Sequence, residues 1–335
     1  METVEELAPA PVSSRKVTGG VVVTAITFLL GGALAVQAQL NGTLTQRTGS
    51  ALLVTLLSFA IGTAILALIV GLRRQWPSRM ELRSWSWHRW WLLSGPLGAF
   101  LIVAISAGVP LLGVALTTVL TVAGQTVTGI VLDSRGTGVG ARLRISGTRA
   151  SAVQVAIVGL AITVLAVPVD SSTSIVVLIA MILVLVAAGV ASALQQAANG
   201  AVAGVSGSPV FAALVSFSTG LILLIVASLA MWATGNLPAS AWPSVTGEPW
   251  LYLGGAFGTL FVVSSAWAVR SIGVLVLSLA VVAGQIIVAV VLDVSTEAAS
   301  VGFVTILSIV AVLAAVVLAV VPSRRRKIKL EDGER

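Results

Sequence analysis

Ten runs of apolar residues follow one another along this chain, at 18–40, 51–72, 90–109, 112–132, 150–169, 174–198, 209–233, 250–269, 273–292 and 299–321. Each is close to the ~20 residues that an α-helix needs to cross a bilayer. The runs do not alternate with period two, so they are not barrel strands. Only helices can satisfy the backbone of so many long apolar segments in lipid. Charged residues make up 9% of the chain, against roughly a quarter in a soluble domain. The chain therefore lacks the polar surface to fold in water, and the expected fold class is an all-α membrane protein with ten transmembrane helices.

Lys and Arg set the expected orientation. With the N-terminus in the cytoplasm, the inner segments hold Arg15, Lys16, Arg73, Arg74, Arg79, Arg83, Arg89, Arg135, Arg142, Arg144, Arg149, Arg270 and the basic end from Arg324 to Arg335. The outer segments hold Arg47 alone. So lopsided a split is the positive-inside pattern and puts both termini in the cytoplasm. Because the basic residues sit in short clusters between apolar runs, topology explains the pI near 11.2. No nucleic-acid partner is expected; anionic lipid at the basic C-terminal segment is. Arg outnumbers Lys sixteen to three, which points to a bacterial source and hence to the inner membrane. "RSWSWHRWW" at 83–91 reads as an interfacial anchor.

The greasy segments are written twice. "LTVAGQTVTGIVLD" begins at Leu120 and "AVVAGQIIVAVVLD" at Ala280. Upstream, Gln37 pairs with Gln195, Asn41 with Asn199, Gly49 with Gly207, Ser58-Phe59 with Ser216-Phe217 and Gly62 with Gly220, all at an offset of 158. After the central loops, Trp90 pairs with Trp250, Gly98 with Gly258, Gly113 with Gly273 and Gln125 with Gln285, at an offset of 160. Each copy has five runs. An odd number sends the second copy into the membrane from the opposite side. The Arg-rich loops of the first copy have counterparts without Lys or Arg, as inversion requires. The expected organisation is a cytoplasmic tail at 1–17, two inverted five-helix repeats at 18–170 and 171–322, and a basic tail at 323–335. Inverted repeats are characteristic of secondary transporters that carry solute through a midplane site.

Gln125 lies eight residues before Asp133, about 12 Å along a helix. Half the hydrocarbon core is about 15 Å, so Gln125 sits near mid-membrane, and Gln285 reaches the same depth from the other side. They are candidate substrate contacts; the alternative is interhelical glue, with Gly124 and Gly284 allowing close approach. Gln37 with Asn41 and Gln195 with Asn199 each share a helix face at i,i+4. They are expected to line the same cavity, unless Asn-Gly simply ends each helix. Asp133 and Asp293 would be the only repeated acids available for ion coupling; the alternative is a solvated carboxylate at the interface. No Asp or Glu lies deep in a run, which weighs against simple proton antiport.

Other chemistry has little support. The chain has no Cys and one His, His88, so no metal site and no cofactor are expected. No embedded acid cluster, thiol or imidazole is present to serve an enzyme. "SRGTGVGARLR" at 134–144 lacks the preceding strand and the Gly-Lys-Ser/Thr of a phosphate loop and reads as a linker.

The five-run unit resembles a known group. "Q…NG", "G(S/N)…SF..G", a Trp-led third span with "G..G" and a fourth span with "AGQ…LD" are similar to the YdcZ-type family of inner-membrane exporters, in the drug/metabolite transporter superfamily. The resemblance covers nearly the whole chain, twice, as in a fused tandem. It implies a central cavity built by spans one to four and six to nine, with spans five and ten at the rim or against a second protomer in a homodimer. Small multidrug exporters, more distant relatives, use a membrane-embedded Glu in the first span. This chain offers Gln37 there, so their proton-coupled mechanism does not carry over. The expected function is export of a small organic solute by alternating access; the alternative is a membrane scaffold or assembly subunit.

Overall fold

The computed structural model describes residues 14–74, 76, 90–137, 174–237 and 242–295, with isolated helical positions at 147, 151, 154, 155, 158, 306, 307, 310 and 314. The runs expected at 150–169 and 299–321, and the basic tail, therefore lie outside the described residues but for those single positions. All regular structure among the described residues is helical: α1 (Ser14–Thr48), α2 (Ala51–Arg73), α3 (Ser94–Arg135), α4 (Ile175–Ser206), α5 (Pro209–Ala233) and α6 (Gly254–Ser295). Short 3-10 turns at Trp90–Leu93 and Pro249–Leu253 lead into α3 and α6.

Seven of the described segments are long and apolar enough to cross a membrane: Val22–Thr48, Ala51–Arg73, Trp90–Val114, Leu116–Arg135, Ile175–Ser206, Pro209–Ala233 and Pro249–Leu292. The last covers two expected runs, because α6 breaks at Gly273, where φ is 80° and ψ 168°. α3 breaks in the same way at Gly113, with φ 75° and ψ 169°. A side chain at such angles would be strained, so glycine is required at both positions. At Gly113 the break reverses the chain. A methyl group on Gly108 would lie 3.3 Å from Thr117 Cγ2, a contact that a straight helix nine residues long could not make. Helices that lie flush against lipid keep apolar side chains outward, as Leu72 (76% exposed) and Val176 (70%) do.

The turns between α1 and α2 and between α4 and α5 explain one repeated motif. Gly49 and Gly207 adopt φ of 71° and 66°. The next residue caps the new helix: Ser50 Oγ accepts from the Leu53 amide at 3.3 Å, and Ser208 Oγ from Phe211 at 3.2 Å. Asn41-Gly42 and Asn199-Gly200, by contrast, do not end their helices. α1 runs on to Thr48 and α4 to Ser206, so both exceed the expected limits of residues 40 and 198. Gly42 is instead a packing position, since a methyl there would overlap Val109.

Two crossings carry most of the contact between the two copies. Gly31 of α1 seats against the Val281 carbonyl of α6, and Gly284 of α6 against the Phe28 carbonyl of α1. Gly189 of α4 and Gly124 of α3 repeat the arrangement against Thr121 and Val186. Reciprocal glycines let two backbones touch, which is how helices associate where no hydrophobic drive separates them from lipid. Each copy thus packs its first helix on the fourth span of the other. Between α2 and α5 the equivalent residues Phe59 and Phe217 meet directly, ring centroids 4.9 Å apart, and each fills the notch above the other copy's glycine, Gly220 or Gly62.

Candidate functional site

The two glycine crossings bring the amide side chains together. Gln285 follows Gly284 and Gln125 follows Gly124, so each amide is carried at the point of closest helix approach. Gln37 is on the same helix as Gly31, and Asn41 is one turn further along the same face. Gln37, Asn41, Gln125 and Gln285 all line one cavity, with Leu34, Ala38, Leu101, Ile102, Ile105, Ser106, Thr121 and Ser192. Glue and cavity wall are therefore not alternatives here: glycines make the crossing, and the neighbouring glutamines face the space beside it. The cavity is tight.

Among the described residues, no charged residue lines it. Its polar atoms are unevenly satisfied. Gln125 Nε2 donates to Ser192 Oγ at 2.8 Å, and Ser58 Oγ donates to Asn41 Oδ1 at 3.1 Å. These bonds orient the two amides. The other ends, Gln125 Oε1 and Asn41 Nδ2, are buried without a partner, as are Gln37 Oε1 and Ser106 Oγ. A buried polar atom left unpaired costs about 1–3 kcal/mol. Four such atoms on residues that line one cavity are a costly arrangement unless a ligand or water pairs them. Opposite Gln37, a methyl on Gly258 would come within 2.7 Å of Nε2, so this glycine keeps the amide clear.

The second copy does not mirror this. Gln195 and Asn199 are buried but do not line the cavity. Gln195 Nε2 donates to Ser216 Oγ at 3.4 Å, and Asn199 Oδ1 has no partner. The difference traces to unequal neighbours. Gln196 stands where the first copy has Ala38, and Phe261 where it has Leu101. Gln196 is 1% exposed and tied at both ends, donating to Ser192 Oγ at 3.2 Å and accepting from Ser278 Oγ at 3.2 Å.

Asp133 is not the solvated carboxylate that a position at a span end suggests. It is 1% exposed, and its two oxygens accept from the backbone amides of Val274, at 2.8 Å, and Leu275, at 3.2 Å. These are the first free N–H groups after the break at Gly273, so Asp133 caps the second arm of α6 and meets the positive end of its dipole. It does not line the cavity. The side chain of Asp293 lies outside the described residues. Ser106, Thr121 and Ser192 also line the cavity, and sequence reasoning passed over them. Isolated hydroxyls in apolar helices commonly bond back to their own helix, as Thr121 Oγ1 does to the Thr118 carbonyl at 2.8 Å, so they carry no signal by themselves.

Comparison with known proteins finds a family model described as "Putative inner membrane exporter, YdcZ", which matches residues 22–162 and again residues 180–318. No curated protein matches the chain. The chain is also similar to a protein of known crystal structure that is 18% identical. The two superpose with a TM-score of 0.58, over 90% of this chain and 96% of that one. At that identity the likeness speaks to the fold alone.

Proposed function

Because the chain belongs to the YdcZ family of inner-membrane exporters, and carries the family unit twice, we propose that it exports a small organic solute by alternating access at the Gln37–Asn41–Gln125–Gln285 cavity. One observation carries this reading: Gln37, Asn41, Gln125 and Ser106, each with a buried polar atom left unpaired, line one cavity between the copies that no charged residue lines among the described residues. In the full arrangement, residues 18–170 and 171–322 form two inverted five-helix repeats, with both termini in the cytoplasm of a bacterial cell. The Phe59–Phe217 contact, where equivalent residues meet, and the matching Gly31–Gly284 and Gly189–Gly124 crossings support a pseudo-twofold relation between the copies.

Two similar halves in opposite orientation can exchange conformations. The copies differ in this structure: Gln37 and Asn41 line the cavity, and Gln195 and Asn199 do not. Exchange would bring Gln195 and Asn199 to the cavity and take Gln37 and Asn41 from it. Gln196 latches the second copy against this through its bond from Ser278 of α6.

Replacing Gln125 or Gln37 by Leu is expected to cut solute efflux about tenfold each, since losing one hydrogen bond of about 1.4 kcal/mol is tenfold in an equilibrium. Metabolites accumulating in the medium of expressing cells give the readout, followed by flux in proteoliposomes. An unchanged metabolite profile in both variants would show that the cavity does not carry solute, and would favour the scaffold role.

The absence of cysteine gives a clean background for labelling. Ser106→Cys is expected to react with a membrane-impermeant maleimide from one face, and Ala266→Cys, its equivalent in the second copy, from neither. Adding Gln196→Ala should make Ala266→Cys reactive from the opposite face. If Gln196→Ala leaves that cysteine inert, the latch assignment is wrong.

A further inference from the structure

The unpaired atoms have a definite chemical pattern. Gln125 Oε1 and Gln37 Oε1 are acceptors and call for donors on the ligand. Asn41 Nδ2 is a donor and calls for an acceptor. Ser106 Oγ can do either. Two of these orientations are held by the protein, since Gln125 Nε2 is committed to Ser192 and Asn41 Oδ1 to Ser58. The remaining wall, including Leu34, Leu101, Ile102 and Ile105, is apolar.

An ionised ligand fits this wall badly whichever its sign. Among the described residues, no Asp, Glu, Lys or Arg lines the cavity to pair with it. A buried charge without a partner is expelled or neutralised. A cation would be drawn to the two glutamine oxygens but would meet the Asn41 N–H group. An anion would accept from Asn41 but face both oxygens. A neutral group with two donors and one acceptor satisfies all three amides together. A primary amide carries this set: one carbonyl oxygen and two N–H bonds.

Resting on the transport reading of this cavity, we propose that the solute enters it as an uncharged group of primary-amide type, with its N–H groups on Gln37 and Gln125, its carbonyl on Asn41 and a short apolar stem against Ile102 and Ile105. Acetamide, acetate and acetamidinium test this, because they share one planar shape and differ in charge. Thermal unfolding of the full-length protein in nanodiscs is measured with each, for the unaltered chain and for the double variant Gln37→Leu, Gln125→Leu. General solvent effects cancel in the difference between the two proteins.

Acetamide is expected to stabilise the unaltered protein by about 2 °C at ten times its Kd, and to leave the double variant unmoved. Acetate and acetamidinium should stabilise neither. If the double variant fails to fold, Gln125→Glu serves instead: the added carboxylate should transfer the stabilisation from acetamide to acetamidinium. Equal or greater stabilisation of the unaltered protein by either ion, or none by acetamide, overturns the assignment. The two readings fail separately. Stabilisation by acetamide without any Gln125-dependent efflux sinks transport and leaves the ligand class. Gln125-dependent efflux of an ionised solute leaves transport and sinks the ligand class.

Discussion

Gly284→Ala is expected to destabilise the protein by about 3 kcal/mol, and Gly284→Leu to abolish the monodisperse folded species altogether. The added methyl would overlap the Phe28 carbonyl oxygen, which is backbone inside a helix and cannot swing aside. α1 and the second arm of α6 would have to separate. Separation would break the contact between the copies and spread Gln285 from Gln37. Gly31→Ala should do the same from the other side, since it meets the Val281 carbonyl. Gly71→Ala is the internal control. It lies in the last turn of α2, with nothing within 4 Å of an added methyl, and alanine is the better helix former by up to about 1 kcal/mol. It should be neutral or slightly stabilising. Unfolding temperature in detergent, followed by size-exclusion profile, reads all four. A Gly284→Ala protein as stable as Gly71→Ala would show that the two backbones do not touch.

Asp133→Ala carries the second large effect. Both carboxylate oxygens serve amides at the start of the second arm of α6, from Val274 and Leu275. Removing them strands two buried N–H donors at about 1–3 kcal/mol each and forfeits the favourable meeting of a negative charge with a helix N-terminus. The loss should appear as a clear fall in unfolding temperature. Asp133→Asn keeps one oxygen acceptor in the same place and should recover part of it. That ordering, aspartate above asparagine above alanine, separates a cap from a site that binds a proton or cation. An ion-coupling carboxylate would lose efflux equally in both variants while leaving stability nearly untouched. The structure favours the cap, because Asp133 lies away from the cavity and both of its oxygens accept backbone amides.

Several features were legible before any coordinate. Apolar runs at helix-spanning length marked membrane helices, because hydropathy is a property of contiguous residues and the bilayer imposes one length. The offset copies identified equivalent residues, and the family unit is indeed matched twice. Gln125 and Gln285 could be placed deep because depth is counted along one helix from its end. The small residues beside them, Gly124 and Gly284, announced close helix contact. Where the reading erred, a local rule met a non-local constraint. Asn-Gly was open to being a helix stop, yet the helix continues because the backbone bonds of α1 and the packing of Gly42 on Val109 outweigh the weak preference of Asn and Gly for turns. A solvated carboxylate was a fair expectation for an acid at a span end, but Asp133 has its partners 141 and 142 residues away.

By itself, then, the sequence determined the solvent, the helical class, the doubling of the chain and the set of amides that could meet between the copies. Each of these follows from composition, run length or the matching of one segment to another. Only the tertiary structure decided that α1 pairs with the far copy, that Asp133 caps a helix in the other half, and that Gln37 and Asn41 line a cavity that Gln195 and Asn199 do not. Near-identical motifs cannot say which copy holds the cavity. That depends on unequal neighbours, such as Ala38 against Gln196 and Leu101 against Phe261, and side-chain volume acts only through the neighbours that folding supplies.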